Sequence, residues 1–228
     1  MLLANGSLLL DDPFAFFTLI VVVAVSLLIG ITFHEAAHAY VAKRLGDGTA
    51  ARLGRITLNP RAHLDPAGTL MLLVAGFGWG KPVPVNPARL WRGRRGVAIV
   101  SAAGPGANVL VALTFAALFQ AGVFEVGGFS RAELQALDPG AWLNVIAAYS
   151  VLLNVLLAAF NLLPLPPLDG GGVLGGIVPE EWLPAIAWLQ RVGPVVLIAV
   201  IAMSIFTGLR PLGFLFDAVR AVASFLTG

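Results

Sequence analysis

The pentapeptide His34-Glu35-Ala36-Ala37-His38 concentrates the reactive side chains of this 228-residue chain. On a helix, residues i and i+4 share one face about a turn apart. Two imidazoles so placed can bind one zinc ion, and the glutamate between them sits beside the metal, where it can accept a proton from a water. The two alanines leave that helix face uncrowded. From the chain's own His and Glu frequencies, a chance occurrence is on the order of one in a thousand. The competing reading is a polar pair packed between helices. The chain has no cysteine and only three histidines. Thiolate nucleophiles, disulfides and cysteine metal sites are therefore excluded, and a metal centre must draw on His, Asp or Glu.

A catalytic zinc site needs three protein ligands and one open position. The extended zinc-protease pattern would place Gly at position 41 and His at position 44, where this chain has Val41 and Arg44. No glutamate occurs between Glu35 and Glu125. The candidates for the third ligand are His63, Asp47, Asp65 and Asp169.

The elements that must bring such residues together are set by an unusual composition. The chain is 58% apolar and only 11% charged, against about 25% charged in soluble domains. Soluble-enzyme, disordered and nucleic-acid-binding classes are poor fits, and the glycines and prolines follow no collagen-like period. The net charge of +2 says little. The expected class is an all-α integral membrane protein: a helical bundle of about four to six transmembrane segments at ~20 residues each. It is expected to be one membrane-embedded domain over residues 1–228, with a core from about 14 to 175 and C-terminal helices from about 188 to 227. The N-terminus does not read as a secretory signal, since it lacks a basic region and carries Asp11 and Asp12.

Residues 14–31 form an unbroken apolar run, and no proline interrupts the chain as far as Arg44. Asp12-Pro13 is a helix start and Gly46 a stop, giving ~30 residues with the polar motif near the C-terminal end. Residues 67–80 are apolar but too short to span, so a re-entrant or interfacial segment is expected. Lys81 to Pro87, with alternate prolines, reads as extended edge backbone. Further spans are expected over 97–124, over 142–163 and from near Trp188 to Thr207. A segment over 211–226 spans or lies in the interface.

Ten of the 14 basic residues lie between Lys43 and Arg95, which the positive-inside rule places in the cytoplasm. The tryptophans fall at segment ends, as an interfacial belt predicts. In this topology the first and third spans both run inward, so Asp169 lies at a depth compatible with His34 and His38. Asp169 is also expected in irregular backbone, which near membrane depth must be buried in protein or line a cavity. An Asp-Gly turn in a cytoplasmic loop fits the spacing equally well. Arg89, Arg92, Arg94 and Arg95 form a basic cluster that lipid headgroups and topology explain.

A resemblance distinguishes these readings. His34-Glu35-Ala36-Ala37-His38, together with Asn161-Leu162-Leu163-Pro164-Leu165-Pro166-Pro167-Leu168-Asp169-Gly170, resembles the paired signature of the site-2 protease family. Gly104-Pro105-Gly106-Ala107-Asn108 resembles the small-residue motif of that family's middle core helix. Further similarity runs through residues 53–60 and 81–87. The resemblance implies an intramembrane zinc metalloprotease that cuts transmembrane or membrane-proximal segments of other proteins. It implies His34, His38 and Asp169 as ligands to one Zn2+ per chain, and Glu35 as the catalytic acid/base. The expected partners are a transmembrane protein substrate and the lipid bilayer, and not nucleic acid. The expected location is a prokaryotic cell membrane, crossed several times, with the active site toward the cytoplasm. The chain departs from larger members in having no room for an inserted PDZ domain and no nucleotide-sensing domain.

Other residues keep two readings. His63 is a ligand or a turn cap, with the cap favoured. Asn161 contacts substrate or an oxyanion, or makes an interhelical hydrogen bond. Asn108 and Asn154 divide the same way, with the structural role favoured. Lys81 to Pro87 is a plain linker, or an edge on which an unwound substrate adds as a strand. The alternatives to a protease are a metal or proton transporter, which would need polar residues at successive depths, and a non-catalytic zinc-binding membrane scaffold.

Overall fold

Asp12 starts the first long helix as its N-cap. Its carboxylate accepts a hydrogen bond from the Ala15 N–H at 3.0 Å, and Pro13 occupies the first helical position, where no donor is needed. The computed structural model describes residues 6–75, 78–127, 130–207 and 212–227. In chain order the helices are α1 (Gly6–Asp11), α2 (Pro13–Arg44), α3 (Thr49–Arg52), α4 (Pro66–Ala75), α5 (Gly93–Gln120), α6 (Arg131–Gln135), α7 (Pro139–Asn161), α8 (Asp169–Ile177), α9 (Leu183–Thr207) and α10 (Gly213–Thr227). Among the described residues there is no strand. Leu64 and Gly80 form a lone antiparallel bridge.

Among the described residues, four helices are long and apolar enough to cross a bilayer: α2, α5, α7 and the helix running through α9. The protein is thus a multi-pass, all-helical membrane bundle. Large side chains such as Leu110, Ile198 and Val195 stand exposed on its flanks, where hydrocarbon is the natural solvent. Its interior holds polar side chains among the apolar ones. Ser26, Asn108 and Asn154 are wholly buried and bond across helices, Ser26 Oγ donating to the Ile146 carbonyl and Asn108 Nδ2 to Asn154 Oδ1, since lipid gives polar side chains no partner.

Helices α2, α5 and α7 pack against one another as a triangle, α8 lies along α5, and α10 covers α7 and α5. The 10-residue α4 reaches about 15 Å, too short to span, as expected of residues 67–80. The 15-residue α10 covers about 22 Å, also short of a ~30 Å hydrocarbon core. Its expected start at Pro211 lies outside the described residues. Helix α9 corrects the sequence reading: it begins at Leu183 rather than near Trp188 and runs through Pro194. One missing backbone bond does not end a helix stabilised by a long apolar stretch on either side.

The C-terminal end of α2 is fastened by Asp47. This buried carboxylate accepts from Asn86 N–H at 2.6 Å, and from the N–H and hydroxyl of Thr49. It ties the chain leaving α2 to the chain entering α5. Burial pushes the Asp47 carboxyl up, but the hydrogen bonds from Asn86 and Thr49, aided by the Arg89 charge, outweigh it and hold the group below its ordinary value. A carboxyl depressed in the fold stabilises fully above its ordinary pKa of about 3.9 and stops doing so as pH falls through its lower folded value. We expect Asp47→Asn to lower stability by about 1–3 kcal/mol at neutral pH. The gap from wild type should close below about pH 4, as read from melting curves in detergent over that range.

Candidate metal centre

On α2, His34 and His38 are both buried, and their rings meet edge to face with centroids 4.6 Å apart. Asp169, the first residue of α8, faces them. Its Oδ2 lies 3.1 Å from His34 Nε2, and its Oδ1 lies 3.3 Å from His38 Nε2. The two Nε2 atoms are 3.0 Å apart. Ligands at 2.0–2.1 Å around a tetrahedral zinc ion would stand about 3.3 Å from one another. Among the described residues, His34, His38 and Asp169 form the one cluster with potential metal-ligand atoms this close.

The protons in this cluster can be assigned from its partners. His38 Nδ1 sits 2.7 Å from the Val100 carbonyl, which can only accept, so Nδ1 carries the hydrogen and donates. His34 Nδ1 likewise donates to Asn108 Oδ1 at 2.7 Å. In the neutral imidazoles both Nε2 atoms therefore present lone pairs, and they present them to each other and to a carboxylate. Asp169 Oδ2 is buried without a hydrogen-bond partner. Gly104 of α5 keeps the gap between the rings open: a Cβ there would come within 2.6 Å of His34 Nε2 and Cε1 and would also collide with His38 Nε2. Two imidazole nitrogens and one carboxylate oxygen, converging without protons between them, fit a zinc ion.

Glycines bring Asp169 to this position. On the face of α8 toward α5, Gly172 and Gly176 lack side chains. A Cβ on Gly172 would fall 3.0 Å from Ser101 Cβ, and one on Gly176 would fall 2.6 Å from the Arg94 carbonyl oxygen. The helices can thus approach backbone to backbone. The expectation of irregular backbone at Asp169 is corrected: irregularity ends at Leu168, and Asp169 opens a helix through Ile177. Pro105 has no N–H for the Ser101 carbonyl and loosens the preceding turn of α5, the turn in which the Val100 carbonyl serves His38.

Glu35 is half-buried and points toward the 79–82 loop, where a Cβ on Gly80 would stand 3.2 Å from Glu35 Oε1. That loop is held by Lys81 N–H donating to the His63 carbonyl at 2.7 Å, and by the buried Arg55 guanidinium donating to the Lys81 and Pro82 carbonyls. The other candidate ligands lie elsewhere. His63 caps the short turn Pro60–Ala62, and its Nε2 donates to the Thr57 carbonyl at 2.8 Å. Asp47 is engaged as described, and Asp65 caps α4 through the Gly68 N–H. Asn161 donates to the Leu157 carbonyl of its own helix at 3.0 Å. The carbonyl of Val100 was beyond sequence reasoning, since any residue type could supply it.

Comparison with known proteins adds an independent line. Over 155 residues, 68% of this chain and 68% of the relative, the sequence is 44% identical to YwhC of Bacillus subtilis (strain 168). It is 29% identical over 193 residues to Rip2 of Mycolicibacterium smegmatis, covering 83% of this chain and 70% of that protein. It is 28% identical over 167 residues to MJ0611 of Methanocaldococcus jannaschii, covering 72% of this chain and 73% of that protein. Each carries the name "putative zinc metalloprotease". No family model and no solved structure matches the chain.

The geometry at Gly104 yields a direct check. Alanine is the better helix former by about 1 kcal/mol, so Gly104→Ala should keep the helix while crowding both imidazoles. Zinc affinity, read by competition with a chromophoric chelator, should fall at least tenfold with the apo protein still folded.

Proposed function

The chain belongs to the site-2 protease family of zinc metalloproteases, and on that premise we propose that it hydrolyses peptide bonds in or near transmembrane segments of other membrane proteins. The observation that carries this reading is the convergence of His34 Nε2, His38 Nε2 and the Asp169 carboxylate at 3.0–3.3 Å, with one buried carboxylate oxygen lacking a hydrogen-bond partner.

In this reading His34, His38 and Asp169 hold one zinc ion per chain. When bound, zinc supplies Lewis-acid polarisation of the scissile carbonyl and a lowered pKa for water. Glu35, between the two histidines on the same helix, takes the proton of the attacking water and delivers it to the leaving nitrogen. Asn161, whose amide nitrogen has a second hydrogen beyond the one given to the Leu157 carbonyl, donates to substrate or to the developing oxyanion.

The site's depth supports a supply of water. His38 precedes the last residue of α2 by six positions, about 9 Å along the axis, and that end carries Lys43 and Arg44. The basic stretch from Lys43 to Arg95 supports a cytoplasmic position for this end, and the bacterial and archaeal relatives support a prokaryotic cell membrane. A substrate helix must unwind to expose a peptide bond. The backbone of the Gly80 loop passes beside Glu35 with one edge occupied by His63 and Arg55, and an unwound substrate can pair along its remaining edge.

The test is cleavage of a model transmembrane substrate by the purified protein in liposomes. Glu35→Gln should retain zinc and lose at least a thousandfold in rate. A chelator should silence the wild type, and added Zn2+ should restore it. Turnover by Glu35→Gln at the wild-type rate would remove the assignment of Glu35.

A further inference from the structure

Asn108 and Asn154 are wholly buried amides on different helices, and their hydrogen bonds can be oriented without ambiguity. Asn154 Nδ2 lies 2.8 Å from the Ser150 carbonyl of its own helix α7, an acceptor only, so the amide nitrogen must face it. That leaves Asn154 Oδ1 to accept from Asn108 Nδ2 at 2.9 Å. Asn108 Nδ2 also donates to the Gly30 carbonyl on α2 at 3.0 Å. With both amide hydrogens committed, Asn108 Oδ1 is the atom turned to His34, and His34 Nδ1 has to donate to it.

We propose that Asn154 and Asn108 are positioning residues that fix His34 in the tautomer and ring orientation with Nε2 free for the metal, and that Asn154 therefore governs metal affinity without touching the ligand set. The inference rests on the zinc reading of His34, His38 and Asp169. The relay runs from α7 through α5 to α2, joining the three helices of the central triangle at one polar seam. Gly30, one turn before His34, serves it twice. Its carbonyl holds Asn108, and its missing side chain leaves room for Leu157 and Asn154, whose Cδ1 and Oδ1 would stand 2.7 and 3.0 Å from a Cβ at that position. Carboxamides have no readily exchanged ionisable proton, so the seam orients a ring and does not conduct protons. Groups that orient a ligating histidine are typically worth 10–100-fold in metal affinity.

The experiment measures zinc dissociation constants of the full chain in detergent by chelator competition. Visible spectra of the Co2+-substituted protein and melting of the metal-free form are recorded alongside. Asn108→Ala should weaken zinc 10–100-fold and Asn154→Ala about tenfold, each with an altered Co2+ spectrum. The double variant should bind no more weakly than Asn108→Ala alone, because both act through the bond to His34. Asn154→Asp, whose neutral carboxylic acid offers the same donor and acceptor, should stay within about threefold of wild type. Gly30→Ala crowds Leu157 Cδ1 and presses on Asn154 Oδ1 without removing a polar group, and should weaken zinc in the same direction as Asn154→Ala, which keeps the test decisive if Asn154→Ala does not fold. Tight wild-type binding with unchanged zinc affinity in Gly30→Ala and in folded Asn154→Ala would overturn the inference and leave the protease reading intact, as would fully additive losses in the double variant. Absence of zinc binding by the wild type would overturn both.

Discussion

Three electron-rich groups facing one another inside a helical bundle are an arrangement that a low-dielectric interior tolerates only around a cation. His34 Nε2, His38 Nε2 and the Asp169 carboxylate stand 3.0–3.3 Å apart, while the outward nitrogens of both rings are committed as donors to Asn108 and Val100. Burial of unpaired polar groups costs several kcal/mol in such surroundings, so much of the surrounding sequence serves this cluster. Small residues occupy the positions where backbones must approach, and polar residues are placed where a ring must be oriented. Part of the apolar remainder packs between helices, as Phe16, Val22 and Val151 do, and part stands on the flanks, as Leu110 and Ile198 do.

Each ligand is delivered differently. The histidines come from one continuous helix whose own pitch fixes their spacing. Asp169 comes from a separate helix that reaches α5 only because Gly172 and Gly176 present no side chains to it. Gly104 then keeps the space between the rings clear. The site is thus assembled from one locally encoded half and one half that depends on how two helices cross.

That division also explains what could be read in advance. The His34–His38 pair was legible because i,i+4 geometry is local. The four long helices were legible because hydropathy alone selects them, and Asp12-Pro13 and Gly46 marked the limits of α2. Asp169 was one of four candidates on spacing, since no local rule says which distant carboxylate a fold returns to a helix; the paired motifs selected it. The short helices α3 and α6 carry too few residues to produce a periodic signal. The start of α9 at Leu183 lies five residues before the expected Trp188, because Pro184 falls in the first turn, where a helix needs no backbone donor. Asn108 and Asn154 were ambiguous because a buried amide's role depends on the rotation of three helices, which no single segment encodes.

Helix α2 is held at both extremities. At one, Asp12 caps it and pairs with Arg131; at the other, Asp47 fastens the exit to the Asn86 backbone. Its 32 residues extend about 48 Å, well beyond a ~30 Å hydrocarbon layer. A helix anchored in this way has little freedom to tilt or slide when the surrounding bilayer thins or thickens. The adjustment falls on the lipid, which must stretch or compress around a fixed scaffold. How far the two histidine rings lie beneath the headgroups is then set by the protein's own anchors and not by the thickness of the membrane around them.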